Sequence, residues 1–214
     1  MAQTILFDLD GTLTDPAAGI TRSVAHALRH YGIEVRDLST LHPFIGPPLD
    51  DSFERFYGFS HERAVEAIGY YREYFRDTGI FENEVYPGIP ELLGALRAAG
   101  KTLAVATSKP EVFAVRILEH FGLAGYFSET VGSELDGTRV KKHEVIAEAL
   151  RRTGAPKEDT VMVGDREHDV LGANRAGIPC IGVLYGYGSA EELTSAGAAA
   201  LAESPEALLT LLTR

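Results

Sequence analysis

The segment most able to do chemistry is an acidic turn near the start of the sequence. Asp8 and Asp10 follow a short apolar run and are separated by one residue, and Gly11 comes directly after them. Alternate residues of a strand face the same side, so both carboxylates can point at one centre. Burying two carboxylates together is costly unless a cation shares them. The spacing therefore predicts a cation-binding turn, where glycine allows a close approach of the backbone.

Three further polar clusters occur later in the chain. Thr107–Lys109 and Asp165 each follow an apolar run, and Lys141 and Lys142 open a helical segment. Each cluster alone has an ordinary explanation as a helix cap or a solvated surface. In open α/β sheets, however, ligands bind where the carboxyl ends of the strands meet. Their shared position favours one composite site.

Phosphoryl transfer is the chemistry that fits these residue types. Mg²⁺ takes oxygen ligands, and Asp8 and Asp165 are the protein carboxylates available for it. One of these carboxylates could then act as the nucleophile toward phosphorus. The ammonium group of Lys142 and the hydroxyls of Thr107 and Ser108 would hold the remaining phosphoryl oxygens.

The elements that must position these residues alternate along most of the chain. Short runs rich in Val, Ile and Leu, separated by helical segments, are typical of strands buried on both faces of a parallel sheet. The predicted strands are Thr4–Asp8, Thr102–Ala106, Phe127–Val131, Thr160–Gly164 and Pro179–Leu184. We therefore expect an α/β fold with a doubly wound, parallel, five-stranded Rossmann-like sheet.

One long interval, between Asp15 and about Val85, breaks this alternation. It contains helical patterns over Ala17–Tyr31, Leu49–Tyr57 and His61–Thr78 and no convincing buried strand. The pattern predicts an inserted, all-helical cap domain. We expect residues 16–85 to form this cap, and residues 1–15 and 86–214 to form the α/β catalytic core.

The composition limits the classes of partner. The 214 residues carry 20 Lys and Arg against 31 Asp and Glu, a formal net charge of −11. This charge disfavours nucleic acid and anionic membranes as partners. The single cysteine excludes an intramolecular disulfide and multi-thiolate metal sites. With no secretory signal and no apolar run of about 20 residues, a cytoplasmic protein is expected, as a monomer or a homodimer.

The four clusters together resemble the haloacid dehalogenase-like hydrolase superfamily, in its phosphatase branch with a helical cap. The matching segments, in order, are Asp8–Thr14, Thr107–Ser108, Lys142–Ile146 and Gly164–Asp169. The resemblance covers nearly the whole chain. Two further stretches, Ile45–Leu49 and Gly182–Ser189, are similar to phosphoglycolate phosphatase-type members, including some labelled nucleotidases.

This resemblance implies catalytic and metal-binding roles for the acidic residues. Asp8 would be the nucleophile that forms an aspartyl-phosphate. Asp10 would protonate the leaving alcohol and later activate water. Mg²⁺ would be held by Asp8, Asp165 and the backbone carbonyl of Asp10, with Asp169 supporting the metal site. The implied activity is Mg²⁺-dependent hydrolysis of a small-molecule phosphate ester.

The resemblance also implies contacts to the substrate's phosphate and leaving group. Thr107, Ser108 and a lysine would bind phosphate. Lys142 is favoured because it leads a helix similar to the family's lysine-led helix, with Lys141 as the alternative. In caps of this kind a loop reads the leaving group, and Arg22 is a candidate contact there or an ordinary exposed helix arginine.

Several other activities are alternatives to a phosphoglycolate phosphatase. A 5'-nucleotidase, a pyrophosphatase or a sugar phosphomutase would use the same core residues. A dehalogenase is disfavoured because it needs no acid at Asp10, and a phosphonate hydrolase because no lysine lies between Asp15 and Tyr86. Outside enzymes, a non-catalytic phosphate-binding regulator would be expected to lack at least one of the catalytic carboxylates.

Overall fold

The computed structural model describes residues 2–213. Over these residues the chain divides into two compact units. Residues 2–15 and 85–213 form the first, here called the core unit, and residues 16–84 form the second, here called the cap unit. The residues singled out as catalytic, phosphate-binding or metal-binding all belong to the core unit.

The core unit is built on a parallel sheet. Strands in the described residues are β1 (Thr4–Phe7), β2 (Thr14–Asp15), β3 (Glu84–Val85), β4 (Thr102–Pro110), β5 (Glu129–Ser133), β6 (Thr160–Gly164), β7 (Cys180–Val183) and β8 (Ala200–Ala202). Six of them form one sheet in the order β5-β4-β1-β6-β7-β8, and β2 pairs with β3. The central position of β1 places the residues that follow it at the middle of the sheet edge.

The sheet has six strands, so the prediction of five is wrong by one. The sixth strand, β8, lies in an alanine-rich run and pairs in parallel with β7, with Ala200 opposite Ile181. Alanine has low intrinsic preference for strands, so composition alone offered no signal there. Pairing with an existing edge strand is what makes this segment extended.

The register of the strands aligns the ends that carry the polar clusters. Phe7 at the end of β1 lies opposite Val105 of β4 and Val163 of β6. The residues just beyond these positions therefore leave the sheet at the same edge. Contrary to the sequence prediction, β4 does not stop before Thr107: it continues to Pro110, with a shift of register after Ala106. Such an irregularity can re-aim side chains next to a site.

Helices cover the faces of the sheet and make up most of the cap unit. They are α1 (Ala17–Arg29), α2 (Leu49–Tyr57), α3 (His61–Phe75), α4 (Ile89–Ala98), α5 (Glu111–His120), α6 (Lys142–Thr153), α7 (Glu167–Ala176), α8 (Ala190–Ser195) and α9 (Pro205–Thr213). Short 3₁₀ turns include Leu38–Phe44 and Gly79–Phe81 in the cap unit. Among residues 2–213, none of these helices combines the length and apolar composition that crossing a membrane requires.

Apolar packing holds α6 and α7 against the sheet. Leu6 and Met162 of neighbouring strands are fully buried in one cluster with Val145 and Ile146 of α6 and Val170 of α7. Burial of side chains of this size contributes about 1.5–3 kcal/mol each. This packing fixes the N-terminal ends of both helices close to the strand ends.

In the cap unit, α1 packs against α3. Ile20, Val24 and Leu28 of α1 recur every fourth residue and are buried, as expected for the apolar stripe of an amphipathic helix. Ser60 caps α3 by accepting a hydrogen bond from the backbone N–H of Arg63. These two helices form the main packed pair of the cap unit.

Candidate active site

Three buried carboxylates meet at the edge of the sheet. Asp8 directly follows β1, Asp165 directly follows β6, and Asp169 lies in the first turn of α7. One oxygen from each lies within 4.8 Å of the others, and the three residues are 5%, 0% and 1% exposed. We call these residues the carboxylate cluster. The sequence placed the first two at strand ends and assigned Asp169 only a supporting role.

Glycines make the close approach within the cluster possible. A Cβ at Gly11 would lie 2.2 Å from Oδ2 of Asp165, and a Cβ at Gly164 would lie 2.2 Å from Cγ of Asp169. Gly11 also has φ of +81°, a conformation that other residues rarely adopt. Any side chain at these two positions would push the carboxylates apart.

Positive charge would stabilise the ionised form of the carboxylate cluster. Burial raises the pKa of Asp165 well above its ordinary value, and the negative charges of Asp169 and Asp8 raise it further. Burial also raises the pKa of Asp169, against the opposing effect of Lys142. A hard divalent cation prefers oxygen ligands and would favour the ionised form of all three groups. The donor set, its burial and its spacing therefore fit such an ion.

Lys142 supplies one positive charge to this site. Its Nζ lies 2.9 Å from Oδ1 of Asp8 and 2.8 Å from Oδ1 of Asp169, and it donates a hydrogen bond to the carbonyl of Ala106 at 3.2 Å. Burial acts to lower the pKa of Lys142, but the two carboxylates outweigh it, and the pKa is raised. Lys142 is therefore a fixed cation.

Close packing of α6 against α7 allows the side chain of Lys142 to reach the carboxylates. A Cβ at Gly172 in α7 would lie 2.7 Å from Cγ of Lys142, so only glycine leaves room for the lysine stem. Lys141, by contrast, is exposed, and its backbone N–H donates to Glu144. Of the two lysines left open by the sequence, the structure places Lys142 beside the carboxylates and Lys141 on the surface.

Asp10 has a separate partner that sequence reasoning missed. Nζ of Lys109 lies 2.6 and 2.8 Å from the two carboxylate oxygens of Asp10. Burial raises the pKa of Asp10, while the charge of Lys109 acts in the opposite direction. In the sequence, Lys109 belongs to the polar cluster Thr107–Lys109. Its position directly after Thr107 and Ser108 is the sequence feature that indicated a role for Lys109 in the site.

The two hydroxyl residues lie at the end of β4. Thr107 is 2% exposed, and its Oγ1 accepts a hydrogen bond from the backbone N–H of Lys109 at 3.3 Å. Ser108 is partly exposed, and its carbonyl accepts a hydrogen bond from the hydroxyl of Ser133. The carbonyl that Lys142 contacts belongs to Ala106, the preceding residue. The end of β4 thus contains Lys109 and contacts Lys142.

The loop after β7, Tyr185–Gly188, supports Asp165 from the other side. The backbone N–H of Tyr187 donates to Oδ2 of Asp165 at 2.8 Å, and a Cβ at Gly186 would lie 2.2 Å from the carbonyl oxygen of Gly11. The hydroxyl of Tyr185 donates to the carbonyl of Thr12. The alternation of tyrosine and glycine beyond the last predicted strand was the available signal for this loop. The sequence singled out Gly182–Ser189, which contains this loop, only for its similarity to phosphoglycolate phosphatase-type members.

Arg22, the candidate cap contact, lies in α1. Its guanidinium forms an ion pair with Glu82, whose carboxylate also accepts a hydrogen bond from the hydroxyl of Tyr74. Half of the Arg22 side chain is exposed. Arg22 thus forms its ion pair with a residue of the cap unit itself.

Known proteins match the chain over most of its length. The sequence model of a family described as haloacid dehalogenase-like hydrolase matches residues 5–183. A Pseudomonas aeruginosa protein named 5'-nucleotidase is 57% identical over 189 residues, which are 88% of this chain and 86% of that protein. Tyrosine-protein kinase PtkA of Mycobacterium tuberculosis is 46% identical over 189 residues, which are 88% of this chain and 64% of that protein.

Matches to phosphatases support the fold and the type of enzyme. A phosphoglycolate phosphatase of Agrobacterium fabrum is 33% identical over 187 residues, which are 85% of this chain and 80% of that protein. The crystal structure of a predicted phosphatase from Clostridium acetobutylicum has a TM-score of 0.98 and 50% identity, covering 100% of this chain and 99% of that one. The predicted α/β fold and the resemblance to phosphatases of the phosphoglycolate phosphatase type are confirmed.

Proposed function

The chain belongs to the haloacid dehalogenase-like hydrolase family and is a phosphatase, and on this basis we propose that it hydrolyses a small phosphate monoester through a phosphorylated Asp8. The observation that carries the proposal is the position of Asp8. Its carboxylate lies at the central strand end, beside Lys142 and within 4.8 Å of the other two members of the carboxylate cluster.

The proposed cofactor is Mg²⁺, held by Asp8, Asp165 and Asp169 with the backbone carbonyl of Asp10. The ion would neutralise charge on the phosphoryl oxygens and so make the phosphorus open to an anionic nucleophile. The fit of three buried carboxylates to a hard cation supports this assignment. Asp169, to which the resemblance gave a supporting role, is here proposed as a direct ligand.

The first half of the proposed reaction transfers the phosphoryl group to the enzyme. A carboxylate oxygen of Asp8 attacks phosphorus, and the bond between phosphorus and the ester oxygen breaks. The leaving oxygen takes a proton from Asp10. The raised pKa of Asp10 favours its holding that proton, and Lys109 keeps its carboxyl group in place.

The second half returns the enzyme to its starting state. Asp10, now ionised, takes a proton from a water molecule, and the water oxygen attacks phosphorus. The bond between phosphorus and Asp8 breaks, releasing inorganic phosphate. The neighbouring carboxylates raise the pKa of Lys142 and keep it charged. We propose that Lys142, with Thr107 and Ser108, stabilises the transferring group.

The substrate is proposed from the relatives. The sequence pointed first to phosphoglycolate, with nucleoside monophosphates as an alternative. The relative named 5'-nucleotidase is 57% identical and the phosphoglycolate phosphatase 33% identical, which favours a nucleoside 5'-monophosphate. Pyrophosphate and sugar phosphates belong in the same assay panel. The cytoplasmic location, the monomeric or homodimeric state, the lack of nucleic-acid or membrane partners, and substrate selection by the cap unit stay predictions.

The decisive experiment compares Asp8→Asn with wild type in phosphate release from an aryl phosphate and from this panel. We expect loss of activity by about 10⁴-fold or more, because amide nitrogen and oxygen are poor nucleophiles. Asp159→Asn is the matched control, since Asp159 is an exposed acid of the core unit. EDTA should abolish wild-type turnover and Mg²⁺ should restore it. Turnover of Asp8→Asn near that of wild type would refute the mechanism.

A further inference from the structure

A second group of metal-ligating side chains lies in the cap unit, outside the site described above. His26 lies in the last turn of α1, His30 caps the C-terminal end of α1 four residues later, and Glu73 is on the neighbouring α3. One donor atom from each lies within 4.8 Å of the others. The Nε2 atoms of His26 and His30 are 3.4 and 4.0 Å from Oε2 of Glu73. We call these residues the His-His-Glu cluster.

The distances from the two imidazoles to Glu73 are close to those of a filled metal site. Ligands about 2.1 Å from a tetrahedral ion lie roughly 3.4 Å from one another. His26 and Glu73 already have this separation, and His30 would need to approach by roughly half an ångström. Residues four apart on a helix face the same side, so the two imidazoles converge without a change of backbone.

Aromatic contacts hold the two imidazole rings. The ring of His30 stacks on Tyr70, with centroids 3.8 Å apart and planes 6° apart. The ring of His26 lies edge-on to His30 at 5.3 Å and near Tyr74 at 5.9 Å. Stacking uses the face of a ring, whereas a metal binds to a nitrogen lone pair in the ring plane. The stacked arrangement therefore restrains His30 and leaves its ligand atom available.

The position of the cluster leaves room for an ion and its remaining ligands. The side chains of His26, His30 and Glu73 are 30%, 39% and 56% exposed. An ion bound there could complete its coordination with water. Two imidazoles and one carboxylate suit zinc and its first-row neighbours, whereas the all-oxygen carboxylate cluster suits magnesium.

We propose that His26, His30 and Glu73 form a Zn²⁺ site that links α1 to α3 in the cap unit. The ion replaces the His26–Glu73 contact with three bonds that span the two helices. It stabilises the folded cap unit because the unfolded chain does not hold these donors together. This site differs from the carboxylate cluster in its residues, its unit and its metal.

The test measures Zn²⁺ binding to tag-free, full-length protein by calorimetry, in millimolar Mg²⁺ and at a pH where free imidazole is neutral. Wild type should bind Zn²⁺ at this site, and both His26→Gln and Glu73→Gln should weaken that binding at least about 10-fold. His61→Gln is the control, because His61 is an exposed histidine of the same unit that pairs with Glu54, outside the His-His-Glu cluster. It should bind as wild type does.

Two further measurements separate this site from the alternatives. Asp165→Asn should keep the Zn²⁺ binding that His26→Gln loses, and Zn²⁺ should raise the Tm of wild type more than that of either cluster variant. Glu73 is more than half exposed, so Glu73→Gln should fold, and circular dichroism verifies this. The proposal is overturned if wild type binds no Zn²⁺, if His26→Gln binds it as wild type does, or if Asp165→Asn abolishes it.

Discussion

Replacing Asp165 by asparagine should have opposite consequences for stability and for function. Asp165 is fully buried beside Asp8 and Asp169. Asparagine has nearly the same shape and can still accept the hydrogen bond from the backbone N–H of Tyr187. The substitution therefore removes a negative charge with little change in packing. In the absence of metal it should stabilise the protein, and in Mg²⁺ it should remove both ligand-induced stability and activity.

The expected magnitude follows from the spacing of the charges. Two unit charges at 4.8 Å, the upper limit of the separations within the cluster, repel by about 3.5 kcal/mol at an effective dielectric constant of about 20. Protonation of Asp165 sets an upper limit on this repulsion. Placing a proton at pH 7 on a carboxyl group with the ordinary pKa of 3.8 costs about 4 kcal/mol, so the repulsion cannot destabilise the folded protein by more than that. Lys142 offsets part of the repulsion. We expect metal-free Asp165→Asn to exceed wild type by about 1–3 kcal/mol in free energy of unfolding.

The difference should depend on pH in a defined direction. The pKa of Asp165 is raised in the folded protein, so the folded state binds this proton more tightly than the unfolded chain does. Wild type therefore loses stability as pH rises from about 4 toward the raised pKa. Asparagine does not titrate. The advantage of the variant should be absent at about pH 4 and grow toward neutral pH.

The assay is urea unfolding of both proteins in EDTA and in millimolar Mg²⁺, at several pH values. Mg²⁺ at 100 times its dissociation constant would add about 2.7 kcal/mol to the free energy of unfolding of wild type and much less to that of the variant. In Mg²⁺ the difference in stability between the two proteins should therefore become smaller or change sign. Asp159→Asn, at an exposed position, should match wild type throughout. The reasoning fails if Asp165→Asn is the less stable protein in EDTA, or if Mg²⁺ stabilises both equally.

Two further substitutions test the supports of the site. Lys142→Met should lower the free energy of unfolding by about 3–5 kcal/mol, because it leaves buried carboxylates without their cation, and should lower kcat at least about 10²-fold. Exposed Lys141→Met should do neither, and equal effects of the two substitutions would contradict the assignment of Lys142 as the lysine of the site. Gly186→Ala should cost about 1–3 kcal/mol in urea unfolding, because its Cβ would lie 2.2 Å from the carbonyl of Gly11. Gly94→Ala, where the added Cβ meets open space, should instead gain up to about 1 kcal/mol, and a loss at both positions would point to a general effect of the substitution.

Much of the fold could be predicted from local pattern because its main strands are buried on both faces. β6 has the predicted bounds, Thr160–Gly164, and α6 begins at Lys142, in the lysine pair that was expected to open a helical segment. Both elements have strong apolar patterns, and α6 ends at Gly154 in the left-handed conformation that favours glycine. The strand β8 was missed because its three residues carry no such pattern, and only pairing with β7 makes them extended.

The sequence by itself determined which residue types stand at the strand ends and in what order, since apolar runs and the glycines beside them are local features. It could therefore identify Asp8 and Asp165 as metal-binding candidates. Only the tertiary structure decided which cation each carboxylate meets: Lys142 contacts Asp8 and Asp169, whereas Lys109 contacts Asp10. Those pairings depend on how α6 and the end of β4 pack against the sheet. Packing of distant segments leaves no periodic signal in the chain, so such contacts become visible only once the segments are assembled.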